Sequence, residues 1–216
     1  MAKLHRIFNS KLSRAQPFKL VVNLFHEGHT ELRYLQDLVK DKKNLIKISS
    51  QKCVSDPVTL IKKAIDSVAK PSHFSVPAET WVIFDDDEKM EEVEVAGKLY
   101  KNWVAHAKTP EKLHIAYMKP CIELWAVLCV EEKFPQKDIK NRKNHKAVER
   151  YLEKIMPTYK HDGSPYFDLR KMTHYDSAFE HQRQWEQTFG KFPECCRATF
   201  YAGIAPLICK ILDLKG

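Results

Sequence analysis

The stretch Trp81-Val82-Ile83-Phe84-Asp85-Asp86-Asp87-Glu88 decides how this chain is read. Aromatic and β-branched residues in an unbroken apolar run predict a buried strand. The run then passes directly into four carboxylates. Like charges crowded at a strand end repel one another and gain nothing from packing. The arrangement makes most sense with a cation among them. Hard divalent ions such as Mg2+ prefer oxygen ligands and commonly use one or two carboxylates, and metals held in this way most often act on phosphate groups.

Working outward, strand-like and helix-like segments alternate. Residues 18–25 read as a buried strand closed by Glu27-Gly28, where the glycine is expected to free the backbone for a sharp turn. Thr30 is the expected N-cap of a helix over 31–40, with Leu32, Leu35, Leu38 and Val39 on its apolar face. A short strand is predicted at 44–48. Ser55-Asp56-Pro57 places a capping residue before a first-turn proline, and Val58, Ile61, Ile65 and Val68 follow at helical spacing. After the proline-bounded interruption at 71–77 come a third strand (80–84), a helix (91–107, with Val95, Leu99, Trp103 and Ala107 spaced four apart), a fourth strand (113–118) and a helix over 122–130. The rest is more polar and mostly helical, with helices expected at 145–156, 176–189 and 198–213.

Strands separated by helices imply parallel β-α-β units with right-handed crossovers. The predicted fold is α/β: a central, mostly parallel sheet of about four strands flanked by helices. Residues 1–17 form an N-terminal extension, 18–130 the core, and 131–216 a mainly helical portion packed on that core. In such sheets ligands collect beyond the carboxyl ends of the strands, so Glu27, Asp85 to Asp87 and Glu123 are all expected along one edge.

Composition narrows the class. The 216 residues are 44% hydrophobic, enough for a real core. No apolar run reaches membrane-span length, and the basic start Met-Ala-Lys-Leu-His-Arg-Ile-Phe lacks the apolar stretch of a secretory signal. The six cysteines show no zinc-ligand spacing and no C-x-x-C pair, and Cys121, Cys129 and Cys209 fall in apolar helical contexts. A reduced, cytoplasmic protein with no membrane partner is expected. Net charge is +8. Acidic residues concentrate around 85–94, whereas the run from Lys137 to Lys146 is strongly basic, which suits an anionic polymer held beside an acidic metal site.

Each acidic element carries two readings. Glu27 sits at a strand tip, where packing gives it no use; Glu31, in the first helical turn, also meets the helix dipole favourably. Alternation in an extended chain points Asp85 and Asp87 the same way and Asp86 the other, although Asp87 or Glu88 could simply cap the next helix. Glu123 interrupts an apolar run, where a carboxylate is expensive unless paired or metal-bound; a solvent-facing helical position is the alternative. His26 and His29 bracket Glu27 among oxygen ligands and are expected at the surface or behind the ligands. His161, His174 and His145 have no assigned role. Lys140, Arg142, Lys143 and Lys146 are the candidate phosphate contacts. Tyr151, Tyr159, Tyr166, Phe167 and Tyr175 are the candidate base-stacking residues, with core packing as their alternative.

Glu-Gly-x-Thr-Glu after a first strand, Asp-x-Asp after a third and Pro-x-x-Glu-Leu-Trp after a fourth together resemble the RloB-like branch of the Toprim superfamily, over roughly 18–130, with an echo at Tyr159-Lys160. The resemblance implies a Toprim fold binding Mg2+ or Mn2+ for phosphodiester chemistry. Glu27, Asp85 and Asp87, with Glu31, would hold the metal. Glu123 would match the glutamate of the third motif; on such a mechanism Lys160 is the candidate to stabilise the leaving oxygen, with a helix-terminal Tyr159-Lys160 pair on the surface as the alternative. It implies a nuclease acting on nucleic acid, RNA or tRNA in preference to DNA, in bacterial anti-phage defence and often beside an ATPase partner. Alternatives are a catalytically silent adaptor for such an ATPase and a primase-like phosphotransferase. Lys119 and Ile122 stand where the branch usually has Asn and Phe.

Overall fold

Three apolar strands form the middle of a five-stranded sheet. In this computed structural model, which describes residues 18–52, 56–70, 78–86, 90–139, 145–159, 167–198 and 200–215, they are β1 (Leu20–His26), β3 (Ala78–Asp85) and β4 (Leu113–Lys119). They run parallel, with β2 (Ile46–Lys52) outside β1 and β5 (Tyr201–Ala202) antiparallel to the end of β4, in the order β2-β1-β3-β4-β5. A strand buried on both faces must be apolar on both, hence the continuous runs.

Side chains alternate between two cores. Leu20, Val22, Leu24, Trp81, Ile83, Ala116 and Met118 face one. Phe25, Val82, Phe84, Leu113 and Tyr117 face the other. The second is covered by α2 (Pro57–Val68) and α3 (Met90–His106). On the first lie α1 (His29–Leu38), α4 (Glu123–Val130), α6 (His145–Ile155), α7 (Tyr175–Phe189) and α8 (Ala205–Leu212), with a one-turn α5 (Gln136–Ile139) between α4 and α6. The α4 segment is buried from Glu123 to Cys129. At its centre the Trp125 indole donates to the Tyr34 hydroxyl (2.9 Å) and its ring lies 5.3 Å from Phe179.

Local signals account for several boundaries. Asp56 caps α2, accepting from the Thr59 amide (2.9 Å) and hydroxyl (2.8 Å), with Pro57 in the first turn, as the sequence predicts. At the other end of the chain, the Lys42 ammonium donates to the carbonyls of Ile211, Leu212 and Leu214 (2.8–2.9 Å), closing the last turn of α8.

The structure corrects several expectations. The sheet has five strands, not about four, because the predicted helix over 198–213 is split: a 3-10 turn (Glu194–Arg197) leads into β5, and α8 begins only at Ala205. Gly203 permits this close return, since a Cβ there would lie 2.6 Å from the Tyr117 carbonyl oxygen. β2 extends to Lys52 rather than ending at 48, because an edge strand tolerates polar residues. α1 starts at His29 with Gly28 as its N-cap, so Thr30 is inside the helix. In α3 the buried stripe is Val93, Ala96 and Gly97, and Val95 is 51% exposed; a strict spacing of four drifts around a 3.6-residue helix. Cys209 is exposed. Among the described residues no helix is long and apolar enough to cross a membrane.

Candidate active site at the carboxyl edge of the sheet

The strand order creates a switch point. The chain leaves β1 outward to β2, then returns to β3 on the other side of β1, so the loops after β1 and β3 diverge and leave a crevice between them. Glu27 follows β1 directly, and Asp85 ends β3. The register sets His26 beside Ile83 and Asp85 beside Met118, and the Asp86 amide continues the ladder to the Met118 carbonyl (3.0 Å).

Alternation divides the aspartates. Asp85 shares its parity with Trp81 and Ile83 and therefore faces the α1/α4 side. Asp86 faces the opposite side, where its carboxylate meets the Lys119 ammonium at 2.9 Å and the Tyr117 hydroxyl. Lys119 also donates to the Cys196 carbonyl (2.9 Å). Lys119 thus ties the end of β4 to Asp86 and to the turn before β5. Asp87 lies outside the described residues, as does Lys160.

On the Asp85 side, Glu123 is only 3% exposed, which rules out the solvent-facing alternative. Its Oε1 accepts a 2.5 Å hydrogen bond from Tyr159, itself fully buried. Between them lies Cys121, whose thiol is pushed well up by burial and then by the negative charges of Glu123, Asp85 and Glu149. The Tyr159 hydroxyl is also held far above its usual range, by burial first and then by Glu123, Cys121 and Glu149. The charges of three carboxylates from three elements, Asp85 of β3, Glu123 of α4 and Glu149 of α6, therefore all reach the Cys121 thiol. The sequence pointed to two of them. Glu149 follows the buried Val148 in an ordinary amphipathic helix, and no sequence signal separates it from a solvated glutamate.

Glu27 and Glu31 flank Gly28. Glu31 is 3% exposed, more than a helix-dipole partner needs. Gly28 has an extended backbone (φ −105°), so the expected conformational reason for glycine does not apply. Space does: a Cβ at Gly28 would lie 2.8 Å from Glu31 Oε2. His26 is fully buried rather than at the surface, and its Nδ1 donates to the Gly28 carbonyl (2.5 Å). His29 is exposed.

Other predicted residues separate. Lys146 is exposed one turn before Glu149 on α6, while Lys140, Arg142 and Lys143 lie outside the described residues. The predicted stacking residues are spent on packing: Tyr159 and Phe167 are buried with rings 5.1 Å apart, Tyr151 donates to Glu131 (3.2 Å), and Tyr175 stacks on Phe179. Tyr166 lies outside the described residues.

Among the described residues no three His, Cys, Asp or Glu side chains close into a metal-holding group. The donor chemistry nevertheless fits a hard divalent cation. The candidates at the edge are carboxylates, and the one thiol among them is kept protonated by its surroundings, so it is no ligand for a softer metal.

Fold and site together define a mostly parallel α/β protein with carboxylates along the carboxyl edge of its sheet at the topological switch point. The chain belongs to the RloB-like protein family, which matches it over residues 22–211. No curated protein matches it.

Proposed function

We propose that the chain is a metal-dependent nuclease of the Toprim type that cleaves phosphodiester bonds in nucleic acid, RNA or tRNA in preference to DNA, in bacterial anti-phage defence. The observation that carries the reading is the placement of Asp85 and the buried, Tyr159-bonded Glu123 on one side of the carboxyl edge of the sheet, next to the β1/β3 switch point, with their charges and that of Glu149 felt at Cys121. A carboxylate as buried as Glu123, with further negative charge around it, costs desolvation and repulsion, and a cation-dependent reaction would give the set a use. Membership of the RloB-like family supports the same reading.

Glu27, Asp85 and Asp87, with Glu31 behind Gly28, would hold Mg2+ or Mn2+. When bound, such an ion polarises a phosphoryl oxygen and neutralises developing charge. The chain's own residues do the positioning. Tyr159 fixes the rotation of the Glu123 carboxylate through Oε1, so Glu123 is set to accept a proton from an attacking water. Lys160, next in sequence to Tyr159, would neutralise the leaving oxygen. The apolar wall from α4 limits water around these groups.

The test is cleavage of end-labelled tRNA, single-stranded RNA, and single- and double-stranded DNA with Mg2+, Mn2+ or EDTA, beside a folded Glu27→Ala protein. Metal-dependent cutting of RNA that Glu27→Ala loses is the expected result. A folded protein that cuts nothing under any condition supports the adaptor reading and directs the search to an ATPase partner; nucleotide incorporation supports the primase-like one. In the same assay Gly28→Ala is expected to fold normally yet to cut on the order of a hundredfold more slowly, because its methyl group displaces the Glu31 carboxylate. An unchanged rate would remove Glu31 from the site.

A further inference from the structure

A second set of aromatic residues, none of them among the predicted stackers, lines a groove of about 590 Å3 between the loop after α4 and the outer face of α7. Phe134, His181, Trp185 and Phe189 are half-buried, and Phe200 forms the floor at 6% exposure. Phe134 meets Trp185, Phe200 and His181 edge-on, and the His181 and Trp185 rings stack at 6.2 Å. Burial holds the His181 pKa below its usual value, which favours a neutral ring. Indole and phenyl faces left partly open in a concavity of this size are unusual unless another ring or an apolar partner covers them.

Position and charge decide the occupant. Phe200 immediately precedes Tyr201, which pairs with Lys119, while Met118 pairs with Ala202 on one side and Asp85 on the other. With neighbouring strands about 4.8 Å apart and residues about 3.4 Å apart along a strand, the Phe200 backbone lies about 12 Å from that of Asp85, on the same face of the sheet. The rim carries Lys133 and Gln184, whose amide donates to Glu180 (3.0 Å) and keeps its carbonyl oxygen for a base edge, and the exposed Lys137 follows four residues after Lys133; among the described lining residues Glu132 is the opposing charge. Ring faces, an amide and cations beside an acidic edge match the chemistry of nucleic acid: stacking for a base, a hydrogen bond for its edge, ammonium groups for phosphate.

We propose that this groove holds an unpaired base of a single-stranded nucleic acid whose backbone continues to the acidic edge. Only single-stranded or looped substrate offers free base faces, so the groove restricts the substrate to that class. The direction of the strand toward Asp85 rests on the nuclease reading; the binding does not.

Binding is measured by fluorescence anisotropy of a labelled single-stranded oligoribonucleotide on the full chain in EDTA, where no metal-dependent cleavage occurs. Trp185→Ala is expected to weaken it about tenfold, Trp185→Phe to stay close to the parent, and the exposed Lys133→Ala, which carries no folding risk, to weaken it severalfold and flatten its salt dependence. A fully paired duplex is expected to show no dependence on Trp185. Equal affinity of parent, Trp185→Ala and Lys133→Ala overturns the proposal and leaves the groove to a protein partner, as does a parent that binds no single strand. The two readings fail separately: a parent that binds through Trp185 yet never cuts with Mg2+ keeps the groove and loses the nuclease, whereas one that cuts with no contribution from Trp185 does the reverse.

Discussion

Asp85→Ala is expected to keep a thermal midpoint close to the parent's and to lose the proposed metal-dependent cleavage by a factor on the order of a thousand or more. Both halves follow from one geometry. Asp85 adds negative charge near Glu123 and Glu149, beside a thiol that burial first and those charges second keep protonated. Removing it relieves part of that repulsion, so the thermal midpoint should stay close to the parent's. The same removal would take away an oxygen ligand of the proposed metal site at the end of β3, which Asp86 does not replace, since it faces away and is engaged by Lys119. Thermal unfolding and initial cleavage rates on one preparation check the pair of outcomes. A well-folded Asp85→Ala protein that cuts at the parental rate would place the chemistry elsewhere; one that is unstable would show Asp85 to be structural.

The largest loss of stability is expected at Trp125. Its side chain is fully buried, packs near Phe179 and donates to Tyr34. Trp125→Ala empties the centre of the helix layer and leaves the Tyr34 hydroxyl short of a donor, an expected loss of roughly 3–5 kcal/mol. Domains of this kind are stable by only about 5–15 kcal/mol, so the variant should sit close to its unfolding transition. Urea unfolding of parent and variant measures the difference. A loss below about 1 kcal/mol would mean that the layer closes over the gap.

What the sequence disclosed follows from which physical signals are local. The central strands were legible because burial on both faces forces apolar runs, and α2 because a cap and a proline announce it. Glu123 could be suspected because a carboxylate inside Ile122 to Leu128 has no cheap explanation. β5 was hidden, since two residues carry no period and its pairing is set by β4, far away in sequence. Glu149 was hidden because its neighbours on α6 look like any solvated helix face. The stacking residues were misplaced for a related reason: composition marks where aromatics are, whereas only packing decides which ring faces stay open. Tyr159 and Phe167 are wholly buried, whereas Phe134 and Trp185 pack against the core with part of each ring still open.

The clasp of Lys42 on the last carbonyls of α8 joins the first β-α-β unit to the final helix. A chain still emerging from the ribosome holds β1 to β4 long before it holds the partners of that lysine or the strand that pairs with the end of β4. Until residues 201–212 are released, that strand end has no β5 beside it, and exposed strand edges invite pairing with other chains. Sheet completion is therefore a late event in synthesis. A stop or frameshift near residue 200 would yield an aggregation-prone intermediate, not a smaller working domain.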